Sequence, residues 1–199
     1  VVAGAGGKVA RMAAARIERG AVYLRRIELL PSAVQCSAEV ILVQALLKGE
    51  KMDFVVQKAV ELGAAELHPI ITEHIVVRYD AKKVAAKVMR WRRIADEAGK
   101  QCGRSTLMRV APIVSFTEFL ADRAIFGAPD TAILFCYERE DMRSIRTVLS
   151  ACTASRIVLI VGAEGGFSVV EAEAFAAAGA EAVSLAAGTR PDVVVMDIQ

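Results

Sequence analysis

The sequence predicts an α/β fold: a parallel sheet flanked by helices, preceded by a short β segment. Three features of the 199 residues carry this reading. From about residue 38 onward, short apolar runs alternate with stretches of helical spacing, the grammar of strand–helix–strand units. Residues 156–161, Arg-Ile-Val-Leu-Ile-Val, form an almost continuous apolar run rich in β-branched residues. That is expected of a strand covered on both faces. Ser115-Phe-Thr-Glu118 and Ser168-Val-Val-Glu171 are capping boxes, each opening a helix.

Taken in order, residues 1–37 form a first unit of alternating strands with a glycine turn at Gly20, closed by a linker over 31–37. The second unit spans 38–199. Residues 39–46 are an apolar strand, and 52–62 have helical spacing that stops at Gly63, a natural residue just past a helix end. A short strand follows at 67–71, then a long basic helix at 80–101. The Ser115 box opens the next helix. Residues 132–137 read as a strand and 142–151 as a helix. After the 156–161 strand comes the Ser168 helix, ending at Gly179, and one more strand at 181–185.

Composition excludes several classes. With 55% hydrophobic and 24% charged residues the chain can bury a core, so it is not intrinsically disordered. No run approaches the ~18 uncharged apolar residues of a membrane span, and the first residues lack the pattern of a signal peptide. The four cysteines (Cys36, Cys102, Cys136, Cys152) have no CxxC spacing, and neither His68 nor His74 lies near one in sequence. This argues against a zinc site or a disulfide framework and for reduced thiols in the cytoplasm. The net charge is +2, yet Arg78 to Arg104 holds nine basic residues against three acidic ones. Such a stripe suits an anionic partner, or simply a solvated helix face.

Two motifs carry chemistry. Gly162-Ala-Glu-Gly-Gly-Phe-Ser168 follows the buried strand and precedes a capped helix. Ligands of open α/β sheets bind beyond the carboxyl ends of strands, and Gly162, Gly165 and Gly166 allow close approach of backbone. The run fits neither the dinucleotide fingerprint nor the phosphate-binding Walker loop, and a plain glycine turn is the competing reading. In the second motif Glu97, Gln101 and Arg104 stand at i, i+4 and i+7, one face of a helix. They suit a base edge or a phosphate, or equally a surface pair with a helix-end arginine.

Lys51-Met-Asp-Phe-Val-Val-Gln-Lys-Ala-Val-Glu-Leu-Gly63, Pro69-Ile-Ile-Thr-Glu73, Trp91 with Glu97-Ala-Gly-Lys-Gln-Cys-Gly-Arg104, Gly162-Ala-Glu-Gly-Gly-Phe-Ser168 and Val183-Ser-Leu185 occur in that order. Together they resemble the RsmE family of SPOUT-superfamily RNA methyltransferases. The resemblance implies a partial PUA-like β domain over 1–37 and, over 38–199, a SPOUT domain with a C-terminal trefoil knot. It also implies S-adenosylmethionine as cofactor, a homodimer, and 16S ribosomal RNA of the small subunit as substrate, methylated at N3 of a uridine. Two departures stand out. Ala163 replaces the usual Pro. After Leu185 the family's arginine-containing run gives way to Ala186-Ala-Gly-Thr-Arg190-Pro, so Arg190 is the basic side chain near the expected place.

On this reading the cofactor contacts are Phe135, Tyr137, Glu138, Gly162, Glu164, Gly165, Gly166, Ser184, Leu185 and Ala186. Arg104 and Arg190 hold the uridine or its phosphate, and Arg78, Lys82, Lys83, Arg90, Arg93, Glu97 and Gln101 face the RNA. Trp91 is either a stacking platform or core. Uridine N3 carries a proton at neutral pH, so a proton acceptor is needed, and the sequence singles out none. A non-catalytic RNA-binding protein on the same scaffold is the alternative function, and a metabolite-binding α/β enzyme a third.

Overall fold

The structure is a computed structural model that describes residues 2–3, 9–30, 38–75, 81–140 and 142–184. Near the amino end, β1 (Val2–Ala3), β2 (Val9–Glu18) and β3 (Ala21–Leu30) form a small antiparallel sheet. β2 and β3 are joined through Arg19 and Gly20, and Gly20 adopts φ +88°, open to glycine at no steric cost. Two register shifts, at Arg11/Met12 and Ala14/Arg16, interrupt the ladder. The expected β segment is therefore present as a ribbon, and the linker over 31–37 lies outside the described residues.

The second sheet has seven strands: β4 (Glu39–Ala45), β5 (Glu66–Ile71), β6 (Arg109–Val110), β7 (Val114–Ser115), β8 (Thr131–Cys136), β9 (Arg156–Val161) and β10 (Glu181–Val183). Its order is β10-β8-β9-β4-β5-β6, with β7 also on β5, and every pairing is parallel. The helices are α1 (Lys51–Glu61), α2 (Ala81–Cys102), α3 (Phe116–Leu120), α4 (Arg123–Phe126), α5 (Ile145–Ala151) and α6 (Val169–Ala177).

Two apolar layers cover the sheet. On one face Ile41, Val43, Ile133, Phe135, Val158 and Ile160 pack under α3, α4 and α6, with Phe175 at the centre. Its ring lies 5.0–5.5 Å from Phe116, Phe135 and Phe167, edge-on to Phe116 and Phe167, arrangements that aromatic quadrupoles favour. On the other face Met52, Val56 and Val60 of α1 meet Val88, Trp91, Ala95 and Ala98 of α2. Trp91 is 1% exposed and its indole N–H donates to Asp53 Oδ1 at 3.1 Å. That decides its two readings: it is core, and the stacking role is withdrawn.

Both capping boxes form. The Ser115 and Ser168 hydroxyls accept from the amides of Glu118 and Glu171, whose carboxylates accept in return from the cap amides. One helix starts later than expected, and three short elements carry no signal in the sequence. α5 starts at Ile145 rather than 142, because the Ser144 hydroxyl caps it by accepting from the Thr147 amide. The short β6 and β7 have too few residues to show a period, and α4 is a single turn capped by the Asp122 carboxylate. Among the described residues no helix is long and apolar enough to cross a membrane, and no His/Cys/Asp/Glu group is arranged to hold a metal ion.

Candidate active site

Strands β4 and β9 are neighbours, yet their outgoing connections diverge: β4 leads to α1 on one face and β9 to α6 on the other. Such a divergence leaves a crevice beyond the carboxyl ends of the two strands, where open parallel sheets place ligands. Residues 162–168 occupy this point. The Gly166 amide donates to Ala163 O at 2.9 Å, so the run folds back on itself as a tight turn.

Four connections meet there. From the β4 end, the Gln44 side-chain amide donates to Gly162 O at 2.9 Å and to Ala45 O at 3.0 Å. The amide of Lys48 and the ammonium of Lys51 reach Glu164 Oε1 at 3.3 and 3.2 Å. Burial pushes the Glu164 carboxyl up, but its own backbone amide, Lys51 and the Lys48 amide outweigh this and hold it below the ordinary glutamate range. From the β5 end, the His74 ring nitrogen Nδ1 lies 2.9 Å from Gly165 O. The turn carrying His74 is itself pinned, because the buried Glu171 carboxylate accepts from the Glu73 amide at 2.7 Å and from the Ser168 amide at 3.0 Å. From the β8 end, Glu138 lays its carboxylate against Gly166.

The glycines are required by these approaches. A Cβ on Gly162 would stand 3.2 Å from the backbone of Gly166, one on Gly165 3.0 Å from the His74 Cβ, and one on Gly166, at φ +66°, would overlap the Glu138 carboxylate. At these three positions the turn has no room for a side chain of its own. The Glu138 carboxylate takes no hydrogen bond among the described residues, leaving it an acceptor for a ligand hydroxyl.

The other expected site residues sort clearly. Phe135 is 2% exposed and packed on Phe175, so its side chain belongs to the core. The Tyr137 amide donates to Val183 O at 3.0 Å, which draws the ends of β8 and β10 together beside Ser184. Cys136 is desolvated, and burial pushes its thiol up to about 12, so it remains protonated. Arg78, Leu185, Ala186 and Arg190 lie outside the described residues.

Arg104 is not brought to the turn. Its guanidinium donates to Val60 O at 3.0 Å and Ala64 O at 2.7 Å, closing the carboxyl end of α1. Those carbonyls precede the amino end of β5, whereas the glycine turn follows the carboxyl end of a parallel strand. Six residues of strand, about 20 Å at 3.3 Å per residue, separate the two edges. Glu97 pairs with Lys100 at 2.7 Å, and Arg104 leaves the face of Glu97 and Gln101 because α2 ends at Cys102 and Gly103 turns the chain at φ +73°. Within the stripe, Arg90 donates to Asp53 and Arg92 to Val110 O, so both tie α2 to its neighbours. Lys83, Arg93 and Gln101 are exposed on α2; Lys82 lies in its first turn.

Sequence reasoning missed Gln44, His74 and Glu171. Gln44 had a signal: it is the one amide in the apolar run Val40-Ile-Leu-Val-Gln-Ala45, and it is 4% exposed.

Residues 34–189 match the RNA methyltransferase domain family. The chain is 30% identical over 183 residues to ribosomal RNA small subunit methyltransferase E of Mycobacterium bovis, a match covering 90% of this chain and 67% of that protein. The chain belongs to the RsmE family. The Bacillus subtilis RsmE is likewise 30% identical over 136 residues, 68% of this chain and 53% of its own length. The chain therefore spans about half the length of that relative. Among solved structures, RsmE of Neisseria gonorrhoeae bound to S-adenosyl methionine superposes with a TM-score of 0.76 at 27% identity, covering 92% of this chain and 72% of that one. The expected parallel sheet flanked by helices is thus the RsmE architecture.

Proposed function

We propose that the chain binds S-adenosylmethionine at the 162–166 turn and methylates N3 of a uridine in 16S ribosomal RNA of the small subunit. The observation that carries this is the turn itself: three glycines that let the chain pack closely past the end of β9, with the Glu138 carboxylate, which takes no hydrogen bond among the described residues, laid against Gly166. Family membership supports it. The same reading assigns residues 1–37 to a partial PUA-like β domain and 38–199 to a SPOUT domain. It also has the residues from Leu185 onward complete a trefoil knot, and two copies form a cytoplasmic homodimer.

When bound, S-adenosylmethionine supplies an electrophilic methyl group. The chain's own residues do the rest. Glu138 would accept from ribose hydroxyls, and Glu164 is fixed on the turn by Lys48 and Lys51. The same reading assigns Ser184, Leu185 and Ala186 to the cofactor. Lys83 and Arg93, with Lys82 and Arg78, neutralise RNA phosphates, and Arg190 holds the uridine. Its Watson–Crick edge must be free, so the nucleotide is unpaired or flipped out. Orienting N3 in line with the methyl carbon lowers the barrier by several kcal/mol.

The decisive experiment has two readouts: calorimetric titration with S-adenosylmethionine, and transfer of a radiolabelled methyl group to small subunits lacking the modification, with mapping of the product. Cofactor binding with methyl transfer at uridine N3 is expected. Cofactor binding without transfer supports the non-catalytic RNA-binding reading, and absence of both overturns the site.

A further inference from the structure

We infer that His74 Nε2 is the proton acceptor for uridine N3, an inference that rests on the methyl-transfer reading above. The carbonyl of Gly165 can only accept a hydrogen bond, so the 2.9 Å contact fixes the proton of a neutral His74 ring on Nδ1. Nε2 is then left with a bare lone pair. The ring is exposed, lies against the middle glycine of the cradle, and is oriented by a turn that Glu171 holds through the neighbouring Glu73 amide.

The surrounding titratable groups are poorer candidates. Glu164 is engaged by the Lys48 amide and Lys51, Glu171 by the Glu73 and Ser168 amides, and Glu140 by the amides of Met142 and Arg143. Glu73 and Glu138 are carboxylates, and carboxylates as a class are weaker bases than a neutral imidazole. Proton transfer is most efficient when the acceptor's affinity lies near the working pH. In the proposed step the N3–H proton passes to Nε2 and the N3 electron pair forms the bond to the methyl carbon. The carbon–sulfur pair stays with sulfur, and the imidazolium then releases its proton to water.

Three measurements on the full chain test this. His74→Asn places an amide N–H where Nδ1–H was, so it keeps the donor to Gly165 O and removes the base. Expected are an unchanged calorimetric affinity for S-adenosylmethionine, an unchanged KM for small subunits, and a kcat about 10²-fold lower or more. His74→Ala should show a similar loss, partly recovered on adding imidazole, which a purely structural role would not produce. With just two histidines in the chain, nitrogen NMR of the free protein should find one ring in the Nδ1–H form, its signal absent from His74→Asn. A kcat within twofold of wild type in His74→Asn, or a neutral His74 ring protonated on Nε2, overturns the inference while leaving the methyltransferase reading standing. A wild-type chain that transfers no methyl group overturns both.

Discussion

The side-chain amide of Gln44 reaches across the β4/β9 boundary to the carbonyl of Gly162, 2.9 Å away. It is the polar link between the central strand pair and the glycine turn, and it is buried. Gln44→Leu leaves the shape nearly unchanged but strips a donor from a part-buried carbonyl, at a cost of about 1–3 kcal/mol. Denaturant titration should read that loss. Because the lost bond holds the first residue of the cradle, affinity for S-adenosylmethionine should fall as well, while Leu42→Val, two residues earlier on the same face of β4, should leave the affinity unchanged.

Gly162→Ala tests the cradle more directly. The new methyl group meets the backbone of Gly166 at 3.2 Å, and backbone cannot swing aside as a side chain can. The turn must open, so cofactor affinity should drop at least tenfold with the circular dichroism spectrum kept. Gly179→Ala, at φ +88° with nothing within 4 Å, should cost about 1 kcal/mol of stability and no affinity. Equal cofactor affinity in the two variants would take the turn out of the site.

How much of this was legible beforehand follows the range of the forces involved. The strand–helix alternation, the two capping boxes and the glycine stops at Gly63 and Gly179 are local, written within a few residues, and each stands where the sequence puts it. The two-residue strands β6 and β7 exist because β5 offers them a partner, which no local pattern records. The same distinction runs through the site. Three closely spaced glycines after an apolar strand are visible in the chain. The partners His74 and Glu138 come from other strand ends. Arg104 leaves the face of Glu97 and Gln101 because the i, i+7 spacing presumes a helix that continues past Cys102, and Gly103 ends it.

Arg104 therefore yields a prediction about stability. Its guanidinium holds two carbonyls at the end of α1. Hydrogen bonds from a charged donor contribute about 1.5–3 kcal/mol each, so Arg104→Ala should lower the unfolding free energy by roughly that amount or somewhat more. Turnover per folded molecule should be retained. A stable variant with abolished turnover would instead place this arginine at the RNA, for instance across a dimer.

The exposed face of α2 is best tested by salt. Each phosphate contact by Lys or Arg on single-stranded nucleic acid contributes about 0.7 to the slope of log affinity against log salt. Lys83→Ala with Arg93→Ala should lower that slope by about 1.4 and weaken binding to unrelated RNA equally, since phosphate contacts carry no sequence information. Arg92→Ala, whose guanidinium donates to Val110 O, should cost stability and leave the slope alone.

Acid should loosen the site through Glu164. Its carboxyl is held below the ordinary glutamate value of about 4.3, because the hydrogen bonds from its own amide, Lys51 and the Lys48 amide exceed the opposing effect of burial. A group whose folded value is depressed stabilises the fold above the unfolded value, and that contribution disappears as pH falls through the folded one. The loss therefore lies at and below about pH 4.3, not near neutrality. Glu164→Gln should lower stability at pH 7, and its difference from wild type should shrink as the pH is taken toward 3. Unfolding followed across that range checks the sign: a gap that widens in acid would mean that the charged carboxylate is not what Lys48 and Lys51 hold.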